Sequence, residues 1–194
     1  MYASLRLTAT RASAVDALRE ENAAVVAQVL GVVGFALLTA LGAQVKVFLW
    51  EVPVTLQTLA MYGSGLYLGW RNGMLSQLLY LALGLLLPVY AGDTFGPAYL
   101  FAAPSAGYLL ALPLAAAVVG LLSRNWKSPL GGVLCLLAGS AVLFTIGVTW
   151  LHYAAGHATW FESIDKGWLR FVTFDLLKIG LVAVLYAGSR RIRS

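Results

Sequence analysis

Asp175 and Lys178 are the residues of this sequence best placed to do chemistry. They stand inside an otherwise apolar run, Phe171-Val172-Thr173-Phe174-Asp175-Leu176-Leu177-Lys178-Ile179-Gly180. At positions i and i+3 they share one face of a helix. An ionised head facing hydrocarbon at that depth costs on the order of 3 kcal/mol even on the gentler insertion scale, so each must turn inward, pair, snorkel or neutralise. Two arrangements meet that demand. One is a self-contained ion pair that fixes helix packing. The other is a polar clamp, with Asp175 accepting N–H groups and Lys178 meeting a carboxylate of a small guest. Thr55, Gln57 and Thr58 form a second polar set, at the start of a helix after Val52-Pro53. Their hydroxyls and amide can cap their own helix or face the same guest. Trp50, Tyr90 and Tyr108 belong to a group of aromatics at the same end. Such rings serve as an interfacial belt or as the walls of an apolar cavity with a polar end.

Other chemistries find no support in the residues. His152 and His157 stand five apart near Glu162 and Asp165, without helical ligand spacing or a cysteine partner, so no metal site is expected. The single Cys135 lies in an apolar run, cannot form an intrachain disulfide, and reads as an inert buried thiol. There is no Gly-rich loop followed by Lys and Ser or Thr, and no Ser–His–acid set. No catalytic residue and no bound cofactor are expected. If ATP drives anything here, another subunit must hydrolyse it.

The elements that position these groups follow from composition. The 194 residues are 60% hydrophobic and only 11% charged, too little polarity to cover a soluble domain. A bilayer answers that composition, provided the backbone pairs internally. The expected fold is all-α, an integral membrane bundle of six transmembrane helices at about 25–43, 54–69, 74–89, 105–122, 130–151 and 168–187. Residues 1–24 read as an N-terminal arm or amphipathic surface helix, 25–190 as the membrane domain and 191–194 as a basic tail. Residues 90–104, rich in Gly, Pro and aromatics, read as a structured loop or re-entrant lid.

The formal charge of +5 does not imply a nucleic-acid partner, because the basic residues sit in short junctions and at the ends. With six spans, nine positive residues fall on the side of the termini and three on the other. The positive-inside bias then puts both termini in the cytoplasm, and membrane lipid is the expected surrounding. Ala36-Leu37-Leu38-Thr39-Ala40 is a small-xxx-small step of the kind that lets helices approach closely.

Several short motifs, taken in order, resemble the BioY family, the biotin-specific substrate-capture (S) components of energy-coupling-factor transporters. They are Gly42-Ala43-Gln44-Val45, Val52-Pro53-Val54-Thr55-Leu56-Gln57-Thr58-Leu59 and Leu68-Gly69-Trp70-Arg71-Asn72-Gly73. Leu79-Tyr80-Leu81-Ala82-Leu83-Gly84 and Leu87-Pro88-Val89-Tyr90-Ala91-Gly92 follow, then Pro104-Ser105-Ala106-Gly107-Tyr108-Leu109-Leu110 and Asp175-Leu176-Leu177-Lys178. The resemblance implies biotin as transported ligand, captured from outside. It also implies a transmembrane coupling (T) protein and two cytoplasmic ABC-type ATPases as partners, in a prokaryotic cell membrane. By the same resemblance Thr55, Gln57, Asp175 and Lys178 contact the ligand, Tyr90 and Tyr108 match motif positions, and Ala36 and Ala40 contact the coupling protein. The chain departs from the family pattern at Asp93-Thr94-Phe95-Gly96-Pro97 and at Ala103-Pro104-Ser105-Ala106, where glycines are fewer and a stiffer lid is implied. On the residues alone, a stand-alone secondary transporter of a small carboxylated metabolite and a non-transport membrane scaffold remain open.

Overall fold

A computed structural model describes Arg19 and residues 24–47, 51–91, 94–125 and 128–191. The first helix, α1 (Val25–Gln44), is built from Ala, Val, Leu and Gly, and buries only the stripe Ala36, Thr39, Ala40 and Ala43. The rest of its surface, including Val29, Leu37 and Leu41, stays exposed, as hydrocarbon-facing side chains would. After it, β1 (Lys46–Val47) pairs antiparallel with β2 (Val54–Thr55), in the register Lys46 to Thr55 and Val47 to Val54. The clasp folds the loop after α1 back onto the start of α2 (Gln57–Leu86). The Leu56 N–H reaches the carbonyls of Gly42 (3.0 Å) and Val45 (3.3 Å).

The centre of the bundle is α2, packed against α1, against α4 (Ala106–Leu122) and against α7 (Val172–Arg191). It is interrupted at Gly69, whose φ of 75° and ψ of −177° are not helical. Only glycine enters that region without strain. The chain reverses there: Gln77 lies beside Ser64 and Tyr80 beside Gln57, so the two limbs of α2 run antiparallel. A short helix, α3 (Pro97–Ala102), occupies the stretch expected to be a loop or lid. Next, α5 (Pro129–Ala154) starts under a Ser128 cap that accepts from the Gly131 N–H. Then α6 (Trp160–Ile164), capped by Thr159, runs through a π-helical turn, Asp165–Leu169, towards α7.

The expectation of six transmembrane helices is overturned. Among the described residues three helices are long and apolar enough to cross a membrane: Val25–Gln44, Leu130–Ala154 and Trp160–Ser189. The segments expected at 54–69 and 74–89 are the limbs of α2, shortened by the break at Gly69 and loaded with Gln57, Ser64, Arg71, Asn72, Ser76 and Gln77. With 17 residues, α4 is shorter than the roughly 20 a hydrocarbon core requires. The placement of both termini in the cytoplasm rested on an even count of six, and goes with it.

Candidate functional site

A cavity opens where the starts of α2, α4 and α7 meet the middle of α5. It holds about 640 Å³ of atom-free space, open mouth included. Thr55, Gln57, Tyr108, Asp175 and Lys178, which the sequence singled out, all line it. The remaining wall is largely apolar or aromatic, including Tyr99, Leu112, Phe144 and Phe171.

Asp175 is 4% exposed, one turn into α7, with its backbone N–H on the Phe171 carbonyl (2.9 Å). The Tyr62 hydroxyl donates to its Oδ1 at 2.8 Å and approaches Oδ2 at 3.1 Å, while the Ser140 hydroxyl donates to Oδ2 at 2.6 Å. A carboxylate has about four lone-pair sites. Two hydroxyls leave acceptor capacity, and the carboxylate borders the cavity. Lys178 donates to the Thr58 hydroxyl at 3.0 Å, one of the three donors an ammonium carries. No hydrogen bond or ion pair joins Asp175 to Lys178 among the described residues. Of the two arrangements open in the sequence, the self-contained ion pair is therefore not formed.

At the start of α2, Thr55 and Gln57 satisfy one another. The Thr55 hydroxyl donates to Gln57 Oε1 (2.9 Å) and accepts from the Gln57 N–H (3.3 Å). The Gln57 amide in turn donates to the Tyr80 hydroxyl (2.6 Å), which donates to the Val89 carbonyl (3.3 Å). Both side chains are thus held in fixed orientation at the cavity edge. Tyr108 is fixed by its hydroxyl on the Gly167 carbonyl (2.8 Å), with its ring edge-on to Phe144.

The other expected site residues stand elsewhere. Tyr90 is fully buried outside the cavity lining, donates to the Leu81 carbonyl (2.8 Å), and stacks on Tyr99, which does line the cavity. Ala36 (0% exposed) and Ala40 (8%) lie on the face of α1 that packs inside the chain. Trp50 lies outside the described residues.

Sequence reasoning missed Tyr62 and Ser140, the two partners of Asp175. The available signal was weak: each is a hydroxyl in an apolar helix, and a buried hydroxyl needs an acceptor. Separations of 113 and 35 residues hide which acceptor that is. Asp175 and Ser140 also line a second groove, between α5 and α7, walled by Trp160 and Trp168.

Charges gather at the mouth. Lys166, on the π-helical turn, bridges Glu51 (2.9 Å) and Glu162 (3.0 Å) and so ties the loop before β2 to α6. Its hydrogen bond to Glu51 is the main reason that this carboxyl is held below its ordinary range. His157 Nε2 lies 3.7 Å from the same Glu51 oxygen.

Comparison with known proteins is consistent throughout. The sequence profile of the BioY family matches residues 11–194. A protein of Pyrococcus horikoshii named "Probable biotin transporter BioY" is 34% identical over 152 residues, 78% of this chain and 88% of that protein. The "Biotin transporter BioY" of Thermotoga maritima is 32% identical over 152 residues, with the same two coverages of 78% and 88%. Among solved structures, an S-component for biotin from an ECF-type ABC transporter superposes with a TM-score of 0.78 at 24% identity, covering 86% of this chain and 92% of that one. At that identity the likeness establishes the fold.

Proposed function

The chain belongs to the BioY family, and on that premise we propose that it captures biotin at the external face and delivers it through an ATP-driven ECF transporter complex. It is a multi-pass protein of the prokaryotic cell membrane.

One observation carries the reading. A mostly apolar cavity holds, at one side, a buried carboxylate with spare acceptor capacity and an ammonium with spare donors, not joined to each other. Biotin presents a urea with N–H donors and a carbonyl, a carbon bicycle and tail, and a carboxylate. Asp175 accepts an N–H, Lys178 meets a negative oxygen, and Tyr108, Phe144 and Phe171 cover the carbon skeleton. Thr55 and Gln57, already mutually satisfied, line the cavity with a rigid polar edge. Tyr90 acts from behind, through the ring of Tyr99. The bridge from Glu51 to Lys166 steadies the loop that leads into β2 at the mouth.

The partners would be a transmembrane coupling protein and two cytoplasmic ATPases, which supply the nucleotide chemistry for which this sequence has no P-loop. Ala36 and Ala40 face inward, so their contact with a coupling protein requires the packing of α1 to open there. The exposed Leu37 and Leu41 beside them need no such movement.

Calorimetric titration of the detergent-solubilised protein tests the proposal. Biotin should give saturable one-site heat, and thiamine and riboflavin should give none. Absence of biotin heat from folded protein, or an equal response to all three, refutes it.

A further inference from the structure

The end of the bundle opposite the biotin cavity holds another cavity of different character, about 920 Å³ of atom-free space with its open mouth included. Arg19, Arg71 and Arg124 reach it from three separate segments: the chain before α1, the second limb of α2 and the turn after α4. Gln28 and Asn72 add amides, with Asn72 Nδ2 donating to Gln28 Oε1 at 3.2 Å. No carboxylate is among the described residues that line it, and no ion pair joins any of the three guanidinium groups to a described acidic side chain.

Arg19 is held in place by neutral acceptors: the Tyr186 hydroxyl (2.9 Å), the Gly120 carbonyl (3.2 Å) and the Ser123 hydroxyl (2.7 Å). These bonds fix its position, and no described acidic side chain offsets its charge. Arg71 and Arg124 are exposed and make no hydrogen bond among the described residues. Three like charges converging on one concavity repel each other unless an anion sits between them. The guanidinium fork matches phosphate oxygens in pairs. Trp70, which lines the cavity, is 41% exposed, and Leu121, next in the chain to the lining residue Gly120, is 54% exposed. Trp70 thus stands next to the basic cluster, as tryptophan does at headgroup depth.

We propose that this cavity is a binding site for the phosphate headgroup of an anionic membrane phospholipid, gripped by Arg19, Arg71 and Arg124. Basic pockets between membrane helices suit such headgroups. The exposed Trp70 beside the arginines favours a lipid over a soluble phosphate ester, because an acyl chain can lie along its ring while the headgroup enters. The site is independent of the biotin cavity.

Native mass spectrometry of the full chain, released from nanodiscs of phosphatidylglycerol or of phosphatidylcholine, tests this. The variant is Arg71→Gln with Arg124→Gln, which spares the packed Arg19. Wild-type protein should retain phosphatidylglycerol and lose phosphatidylcholine. At about fivefold per arginine near an anionic surface, the double variant should lose about 25-fold in phosphatidylglycerol affinity. Its biotin titration should be unchanged, which also certifies its fold. Equal retention of the two lipids, or undiminished retention by the variant, overturns the proposal. Displacement of the lipid by millimolar glycerol phosphate overturns the choice of a lipid over a soluble ester. Unchanged lipid retention with loss of co-purifying partner subunits overturns it in favour of protein docking.

Discussion

Replacing Asp175 by Asn removes one charge and exchanges one acceptor oxygen for a donor, with almost no change in volume. In the wild-type protein Tyr62 and Ser140 both donate to this carboxylate, at 2.8 and 2.6 Å. In the variant one oxygen keeps one of those hydroxyls. The new NH₂ faces the other, whose rotation can restore a weak bond because a hydroxyl also accepts. Folding should therefore survive with a loss of about 1 kcal/mol, the scale of one neutral hydrogen bond. Biotin loses more. A hydrogen bond to a charged group is worth about 1.5–3 kcal/mol, so Kd should rise roughly tenfold to 150-fold. The measurement is calorimetric titration, with tryptophan emission and thermal melting as controls for folding. Tyr62→Phe separates the roles: it removes a donor to the carboxylate and leaves the charge, so it should weaken biotin by less than Asp175→Asn. Wild-type affinity in a folded Asn variant would place the carboxylate in packing alone. A larger loss from Tyr62→Phe than from Asp175→Asn would equally refute its role as direct acceptor.

Three other predictions follow from neighbouring geometry. If Lys178 meets the carboxylate of biotin, Lys178→Gln weakens biotin about tenfold or more, and an uncharged biotin amide loses affinity for the wild type but not further for the variant. Equal penalties for the amide in both proteins would show that Lys178 faces another part of the ligand. Gly84→Ala should cost about 1–3 kcal/mol, because a Cβ there would collide with the ring of Tyr90; differential scanning fluorimetry reads this as a lower melting temperature, and an unchanged Tm contradicts it. Glu51 titrates below the ordinary carboxylate range in the folded chain because Lys166 hydrogen-bonds its ionised form, so its contribution is present above its unfolded pKa and is lost as pH falls through the folded value. Glu51→Gln should therefore lower Tm at neutral pH and have progressively less effect on the acid side of that range. A Tm difference independent of pH would mean that the bridge is not what Glu51 supplies.

The outcome at each position shows what a sequence can carry. Asp175 and Lys178 were legible because desolvation forces ionised heads inward whatever the tertiary arrangement, and both line the cavity. The same argument could not choose between ion pair and clamp, since that depends on Tyr62, Ser140 and Thr58, which take up the two heads separately. Tyr90 shows the reverse limit. Its place in a motif beside the site reflects a packing demand: the space left by Gly84 admits its ring, and its hydroxyl is used on Leu81. A residue whose neighbours require it looks the same in sequence as one that touches a ligand.

The number of crossing helices failed for a related reason. Taking every apolar run between turns as a span treats each helix as if it met the bilayer alone. The limbs of α2 do not, because α1, α4 and α7 pack around them. Gln77 Nε2 lies within hydrogen-bond reach of the hydroxyls of Thr39 (3.2 Å), Ser64 (3.3 Å) and Ser76 (3.1 Å), all fully buried. Inside a protein sheath polar side chains satisfy one another, so neither full length nor full apolarity is demanded of the backbone they stand on. That relief lets a cavity lined by Gln57 exist within a membrane bundle. The features that disqualify the limbs of α2 as independent spans, polar side chains and a glycine break, are the ones that bring Gln57 and Tyr80 together at the site.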